Sequence, residues 1–171
     1  MKLTFGGAAG TVTGSRHLFQ EGTRAWLLDC GLFQGYKQLR LRNRLPLPIG
    51  PRRIGAVVLS HAHLDHSGYL PALVRDGFRG PIYASAATRD LCEILLKDSA
   101  HLQEEEARFA NKHGFSRHQP AEPLYTVDDA LRALRLFREL PFGQPVELGE
   151  GVSATLEPAG TCPNDCSGQG I

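Results

Sequence analysis

One short stretch limits what this chain can become more than any other. In residues 57–69, VVLSHAHLDHSGY, four side chains able to bind a cation, His61, His63, Asp65 and His66, crowd into six positions. They follow the apolar run AVVL at residues 56–59, which is short and β-branched enough to predict a buried strand. The polar groups therefore begin where a strand ends. Alternate side chains on an extended backbone share a face, so His61 and His63 aim at one point while Asp65 and His66, in the turn that follows, face a second. Imidazole and carboxylate are nitrogen and oxygen donors of the kind zinc takes at about 2.0–2.2 Å, and manganese or iron accepts the same set. A lone histidine at a strand end is ordinarily just a hydrogen-bonded residue. Three of them with an aspartate at this spacing predict a metal site, with two cations as the natural count.

The intact pattern His61-Ala62-His63-Leu64-Asp65-His66 resembles the signature of the metallo-β-lactamase superfamily. The flanks GAAGTVTGS (7–15), LLDCGLFQG (27–35), SHAHLDHSGYLP (60–71) and KDSAHLQEEEARFANK (97–112) look like its β-CASP branch, whose members are mostly RNA-processing nucleases. The resemblance runs from about residue 1 to 160. It implies an α/β fold, the αββα sandwich of that superfamily, with the site at the edge where two sheets meet. It also implies two zinc ions, the first on His61 and His63 and the second on Asp65 and His66. Asp65 would then also handle the proton of an attacking water. The implied activity is phosphodiester hydrolysis, with RNA as the partner. The same motif serves other chemistries, so hydrolysis of a small ester or thioester is the alternative, and a non-catalytic metal-binding fragment is a third reading from a different class.

With 171 residues, 42% hydrophobic content and a net charge of +1, the chain suits one domain with a real core. It shows no long apolar segment for a signal or a membrane span, so a cytoplasmic location without membrane attachment is expected. Four cysteines are too few for a disulfide framework, and Cys30 and Cys92 read as small buried hydrophobes.

In chain order, residues 2–5, 16–20 and 24–28 read as strands, the last two joined through Glu21-Gly22-Thr23. The glycine-rich loop between the first two lacks both the P-loop ending and the dinucleotide spacing, so it reads as loop geometry, although the resemblance makes it border the cleft. Asp29 closes the third strand. Spacing alone makes it a turn former, whereas the resemblance implies a carboxylate that orients the metal-binding histidines and so belongs to the catalytic set.

Residues 30–53 contain no acid and six cations, Lys37, Arg40, Arg42, Arg44, Arg52 and Arg53, with Pro46, Pro48 and Pro51 favouring an irregular loop. Phosphate contacts from these arginines, with Phe33 and Tyr36 stacking on bases, is one reading, and a solvated loop is the other. A short helix over 68–74 and a strand over 82–85 follow. A helix then starts after Ser85, with Leu91, Ile94, Leu95 and Leu102 on one face and Arg89, Glu93 and Lys97 on another. Asp98 and His101 on that helix are left out of the site, and His17, His113 and His118 have no ligand spacing. Thr126 and Asp129 mark another helix start, with Val127, Ala130, Leu131, Leu134 and Phe137 as its buried stripe. Residues 146–156 read as a hairpin.

After LEPAG (156–160) the resemblance calls for a histidine and a small apolar run, yet the chain reads TCPNDC and stops at Ile171. Residues 1–160 are therefore expected to be the amino-terminal part of the domain, truncated, with 161–171 an atypical tail translated out of frame and the β-CASP domain absent. Cys162 and Cys166 make a poor zinc site with two thiols, and Asp165 is no substitute for a bridging aspartate. On this reading the chain alone is catalytically silent.

Overall fold

The computed structural model describes residues 2–114, 120–149 and 151–159. The readings made for His118, Cys162, Asp165 and Cys166 lie outside the described residues. Six strands form one mixed sheet in sequence order: β1 (Lys2–Phe5), β2 (His17–Glu21), β3 (Arg24–Leu28), β4 (Ile54–Val58), β5 (Ile82–Ala84) and β6 (Phe137–Glu139). The first three are antiparallel meanders, and β3 through β6 run parallel. Each parallel neighbour needs a crossover, and helices supply those after β4 and β5. These are α2 (Leu64–Ser67), α3 (Leu70–Arg75), the 28-residue α4 (Ala86–His113) and α5 (Val127–Leu134).

Alternation along β3 divides the two faces. Ala25 and Leu27 enter the main core with Leu70 and Leu73 of α3, Cys92 and Leu96 of α4, and Ala130 of α5. Trp26 points the other way, and its indole N–H donates to the Leu148 carbonyl at 3.0 Å. That carbonyl belongs to a two-stranded antiparallel hairpin, Val146–Gly149 with Val152–Ala154, which is the second sheet among the described residues. A cleft of 680 Å³ lies between the sheet face of Phe19, Trp26 and Val58 and this hairpin.

Several expectations need correction. In α4 the buried residues are Thr88, Cys92, Leu96 and Ala100, whereas Leu91, Ile94 and Leu102 are exposed. The i, i+4, i+8, i+12 row of small or slender side chains lets the helix approach closely, and size decides the buried face rather than hydrophobicity. In α5, Leu131 is exposed and Ala133 takes its place, while Phe137 belongs to β6 and pairs with Ile82 instead of continuing the helix stripe. Asp65 and His66 sit in the one-turn helix α2, not in a turn. Residues 30–53 are largely irregular as the prolines suggested, with one short helix, α1 (Lys37–Leu41), and two 3-10 turns. Phe33 is buried and unavailable for stacking on bases, while Tyr36 is exposed.

Candidate metal centre

β4 ends at Val58, and Leu59 and Ser60 carry the chain to His61 at the sheet edge. His61 Nε2 lies 3.1 Å from His63 Nδ1, and His66 Nε2 lies 3.6 Å from an Asp65 carboxylate oxygen. Two nitrogens bound to one tetrahedral zinc at about 2.0–2.1 Å would stand about 3.3–3.4 Å apart, so both pairs have near-ligand spacing. The two halves adjoin, since the His61 and His66 rings are 4.0 Å apart between centroids. Among the described residues no three His, Cys, Asp or Glu side chains converge as one ligand group, and the donors come as two pairs.

Asp29 organises these pairs. Its Oδ1 accepts from the Ser60 backbone N–H and hydroxyl, each at 2.9 Å, and its Oδ2 faces His66 Nδ1 at 2.8 Å. A carboxylate only accepts, so His66 carries its proton on Nδ1 and leaves Nε2 bare. Ser60 spends its single proton on Asp29, so its oxygen accepts from His61 Nδ1 at 2.9 Å, which leaves His61 Nε2 bare as well. Fixing tautomers from behind in this way is how metal-binding histidines are oriented. The donor set therefore fits a metal, with the bare nitrogens of His61 and His66 turned toward His63 and Asp65.

The charges agree. Burial pushes the Asp29 carboxyl upward, but the hydrogen bonds from His66 and Ser60 and the His66 charge outweigh it and hold the pKa below its ordinary value. Burial likewise disfavours a charged His66, and the bond to Asp29, with the Asp29 and Asp65 charges, reverses this into a raised pKa. His61 is lowered, first by burial and then by His66 and His63, which keeps its imidazole neutral and able to donate a lone pair.

Asp29 holds this position at φ +59°, left-handed for a residue with a side chain. That backbone costs of order 1–3 kcal/mol and persists because its carboxylate and its N–H, bonded to Val58, are both fixed. The next residues lace the ligand helix down. Cys30 N–H donates to the His66 carbonyl, Leu32 N–H to Leu64, and Ser15 N–H to Asp65. A Cβ on Gly31 would lie 1.6 Å from the Asp65 carbonyl oxygen, so only glycine fits there. Burial pushes the Cys30 thiol up to about 12, leaving it inert.

Sequence reasoning named the four donors and Asp29 but not the roles of Ser60, Ser15, Gly31 or Arg16. Arg16 is buried, donates to the carbonyl of Gly31 at 2.7 Å and to Asn43 Oδ1 at 2.9 Å, and stacks 3.8 Å over the Tyr69 ring. Ser60 lay within the motif and could have been flagged as the hydroxyl between strand and ligand. The others come from distant segments with no local signal. His101 and Asp98, both exposed, lie outside the paired donors, as does His17 in β2.

A profile of the metallo-beta-lactamase superfamily matches residues 11–152, spanning the strand end, the paired donors and their supports. The chain belongs to the metallo-β-lactamase superfamily. Its mixed α/β sheet and the helices packed on it are the superfamily's fold over this stretch. Among curated relatives, Ribonuclease TTHA0252 of Thermus thermophilus is 40% identical over 95% of this chain and 33% of its own length. Transcription termination factor FttA of Methanocaldococcus jannaschii is 27% identical over 94% of this chain and 23% of its own. This superfamily chain thus spans about a third or less of those relatives. Among solved structures, BJP-1, a subclass B3 metallo-beta-lactamase of Bradyrhizobium japonicum, is 18% identical over 90% of this chain and 47% of that one, with a TM-score of 0.49. No helix among the described residues is long and apolar enough to cross a membrane.

Proposed function

We propose that this chain carries the amino-terminal half-site of a two-zinc hydrolase that cleaves RNA phosphodiester bonds, in the β-CASP branch of the superfamily. The observation that carries this reading is the pair of donor couples, at 3.1 and 3.6 Å, each backed by a fixed tautomer. His61 and His63 would hold one ion, and Asp65 and His66 the other. When bound, the two ions supply Lewis acidity toward a phosphoryl oxygen and lower the pKa of an attacking water. Asp65, partly exposed at the edge of the site, would accept a proton there. Asp29 keeps His66 oriented by accepting its Nδ1 proton, and Ser60 does the same for His61. The choice of RNA is supported by the relative named a ribonuclease at 40% identity.

The basic segment supports the same substrate. Arg40 and Arg44 line one wall of a 540 Å³ cleft whose lining also includes Leu64, the residue between His63 and Asp65. Arg42 stacks 4.2 Å over Phe33, which holds its guanidinium at the surface. Phosphates entering that cleft would meet Arg40 and Arg44, with Asp98, Glu106 and Glu122 also on its lining.

Each ion receives two described ligands, below the three protein ligands a catalytic zinc keeps. The described residues by themselves are therefore expected to hold zinc weakly and to turn over no RNA. The test is zinc titration by chelator competition: wild type should bind zinc, though weakly, where His63→Ala does not, with the fold preserved by circular dichroism. Equal zinc in both would remove this cluster as the site. Assays on RNA and on a thioester, run on a protein spanning the relatives' length, decide the substrate, and turnover of the thioester alone would overturn the RNA reading.

A further inference from the structure

We propose that His17 is a positioning residue for the metal centre, acting through Ser15 and Asp29 on the orientation of His66; this rests on the zinc reading above. His17 lies on β2, eleven positions after Gly6 and far in sequence from the donor motif, and its ring reaches Ser15 across the bend that enters the strand. Four groups stand in line. His17 Nε2 is 3.3 Å from Ser15 Oγ, Ser15 Oγ donates to Asp29 Oδ2 at 3.1 Å, and the same Oδ2 accepts from His66 Nδ1 at 2.8 Å.

The protons in this line have one consistent arrangement. Asp29 as a carboxylate can only accept, so the single Ser15 proton points at it. The Ser15 oxygen is then an acceptor toward His17, and His17 must present Nε2–H. Its Nδ1 is buried with no hydrogen-bond partner, and a buried bare acceptor is tolerated better than a buried N–H without an acceptor. The ring is thus held in the Nε2–H tautomer from both sides. Phe5 packs edge-on against it at 5.2 Å and 74°, which closes that side of the ring to other partners.

The consequence is directional. With a donor behind it, the Ser15 hydroxyl cannot swing its proton away from Asp29. Asp29 Oδ2 therefore keeps two donors, Ser15 and His66, while Oδ1 keeps the two from Ser60. Removing the His17 donor frees the Ser15 rotor, loosens Oδ2 and lets the His66 ring turn, so that its Nε2 no longer lies beside Asp65. Nothing in the chemistry of the donors themselves changes.

The test uses the full chain, zinc competition against a chromogenic chelator, and the visible spectrum of the cobalt(II)-loaded protein, which reports ligand geometry. Loss of an outer hydrogen-bond partner costs about 10- to 100-fold in metal affinity. His17→Phe, which keeps the packing on Phe5, should fall at the mild end, about tenfold weaker for zinc, with an altered cobalt spectrum. His17→Gln restores an N–H donor and should recover most of the loss. Ser15→Ala should mimic His17→Phe, and the double variant should be no weaker than the worse single one, because the two act in series. If His17→Phe does not fold, Ser15→Ala against His17→Gln decides the same point. Unchanged zinc affinity and cobalt spectrum in His17→Phe and Ser15→Ala, while Asp29→Asn is weakened, would overturn the relay and leave the metal reading standing. Zinc binding indifferent to Asp29→Asn and His63→Ala alike would overturn both.

Discussion

Asp29 concentrates more of the site's chemistry than any ligand does. It bears a left-handed backbone, and its two oxygens take protons from Ser60, Ser15 and His66. Replacing it with asparagine keeps the shape but turns an acceptor into a group that is half donor, so one of those bonds must break. The expected result is a 10- to 100-fold loss of zinc affinity, read by chelator competition, as for other partners behind metal-binding histidines. Full affinity in Asp29→Asn would mean that the histidines are oriented by something else. Tyr125 offers a test of pH response away from the site. Burial pushes its phenol up, only partly offset by the bonds to Ser99 and Gln103. A group raised in the folded state contributes stability below its ordinary value and loses it above. The protein should therefore lose stability as pH rises past 10, and Tyr125→Phe should show a shallower loss in denaturant titrations across that range. At this scale the sequence was readable where chemistry is local. His61, His63, Asp65 and His66 declare themselves by spacing, whereas Ser15 and Gly31 matter only because the fold brings residues 15, 31 and 65 to one place.

Among the elements, α5 shows local chemistry that survives folding unchanged. Thr126 accepts from the Asp129 N–H at 3.2 Å and Asp129 accepts from the Thr126 N–H at 2.9 Å, the reciprocal cap expected from the residue pair. Thr126→Ala should cost about 1 kcal/mol in chemical denaturation. A cost near zero would show that packing against α3 and α4 alone holds the helix start. The strand β6 was hidden for the opposite reason. Its three residues, Phe137, Arg138 and Glu139, have only one apolar side chain, and their pairing with Ile82, Tyr83 and Ala84 is a tertiary fact. The buried row of α4 was misread because the helix carries bulky apolar residues on more than one face, and closeness of approach selected the slender set.

For the whole molecule, the net charge of +1 says little about nucleic acid, and the arrangement says more. Arg40 and Arg44 stand on the cleft that reaches Leu64 and Arg42 lies on Phe33 beside them, so on the proposed RNA reading their contribution should be electrostatic and indifferent to sequence. Replacing Arg40, Arg42 and Arg44 with alanine should flatten the salt dependence of RNA binding by roughly one unit of slope per contact removed. An unchanged slope returns the segment to plain solvent exposure. The strands β1 to β5 were largely legible, since they follow the hydrophobic pattern, while their order in the sheet is a tertiary fact. The second sheet was visible only as its hairpin.

The lacing of residues 29–32 onto 64–66 has a temporal side. The paired donors and the supports described around them, Ser15, His17, Asp29, Gly31 and Ser60, lie before Tyr69, ahead of β5, α4 and α5 in the order of synthesis. A ribosome adding about 5–20 residues per second needs roughly 3–13 s for residues 70–134, which carry those elements. For that interval the nascent chain already holds both donor pairs and their hydrogen-bonding partners. On the zinc reading proposed above, that segment would meet metal before the core that buries its strand exists.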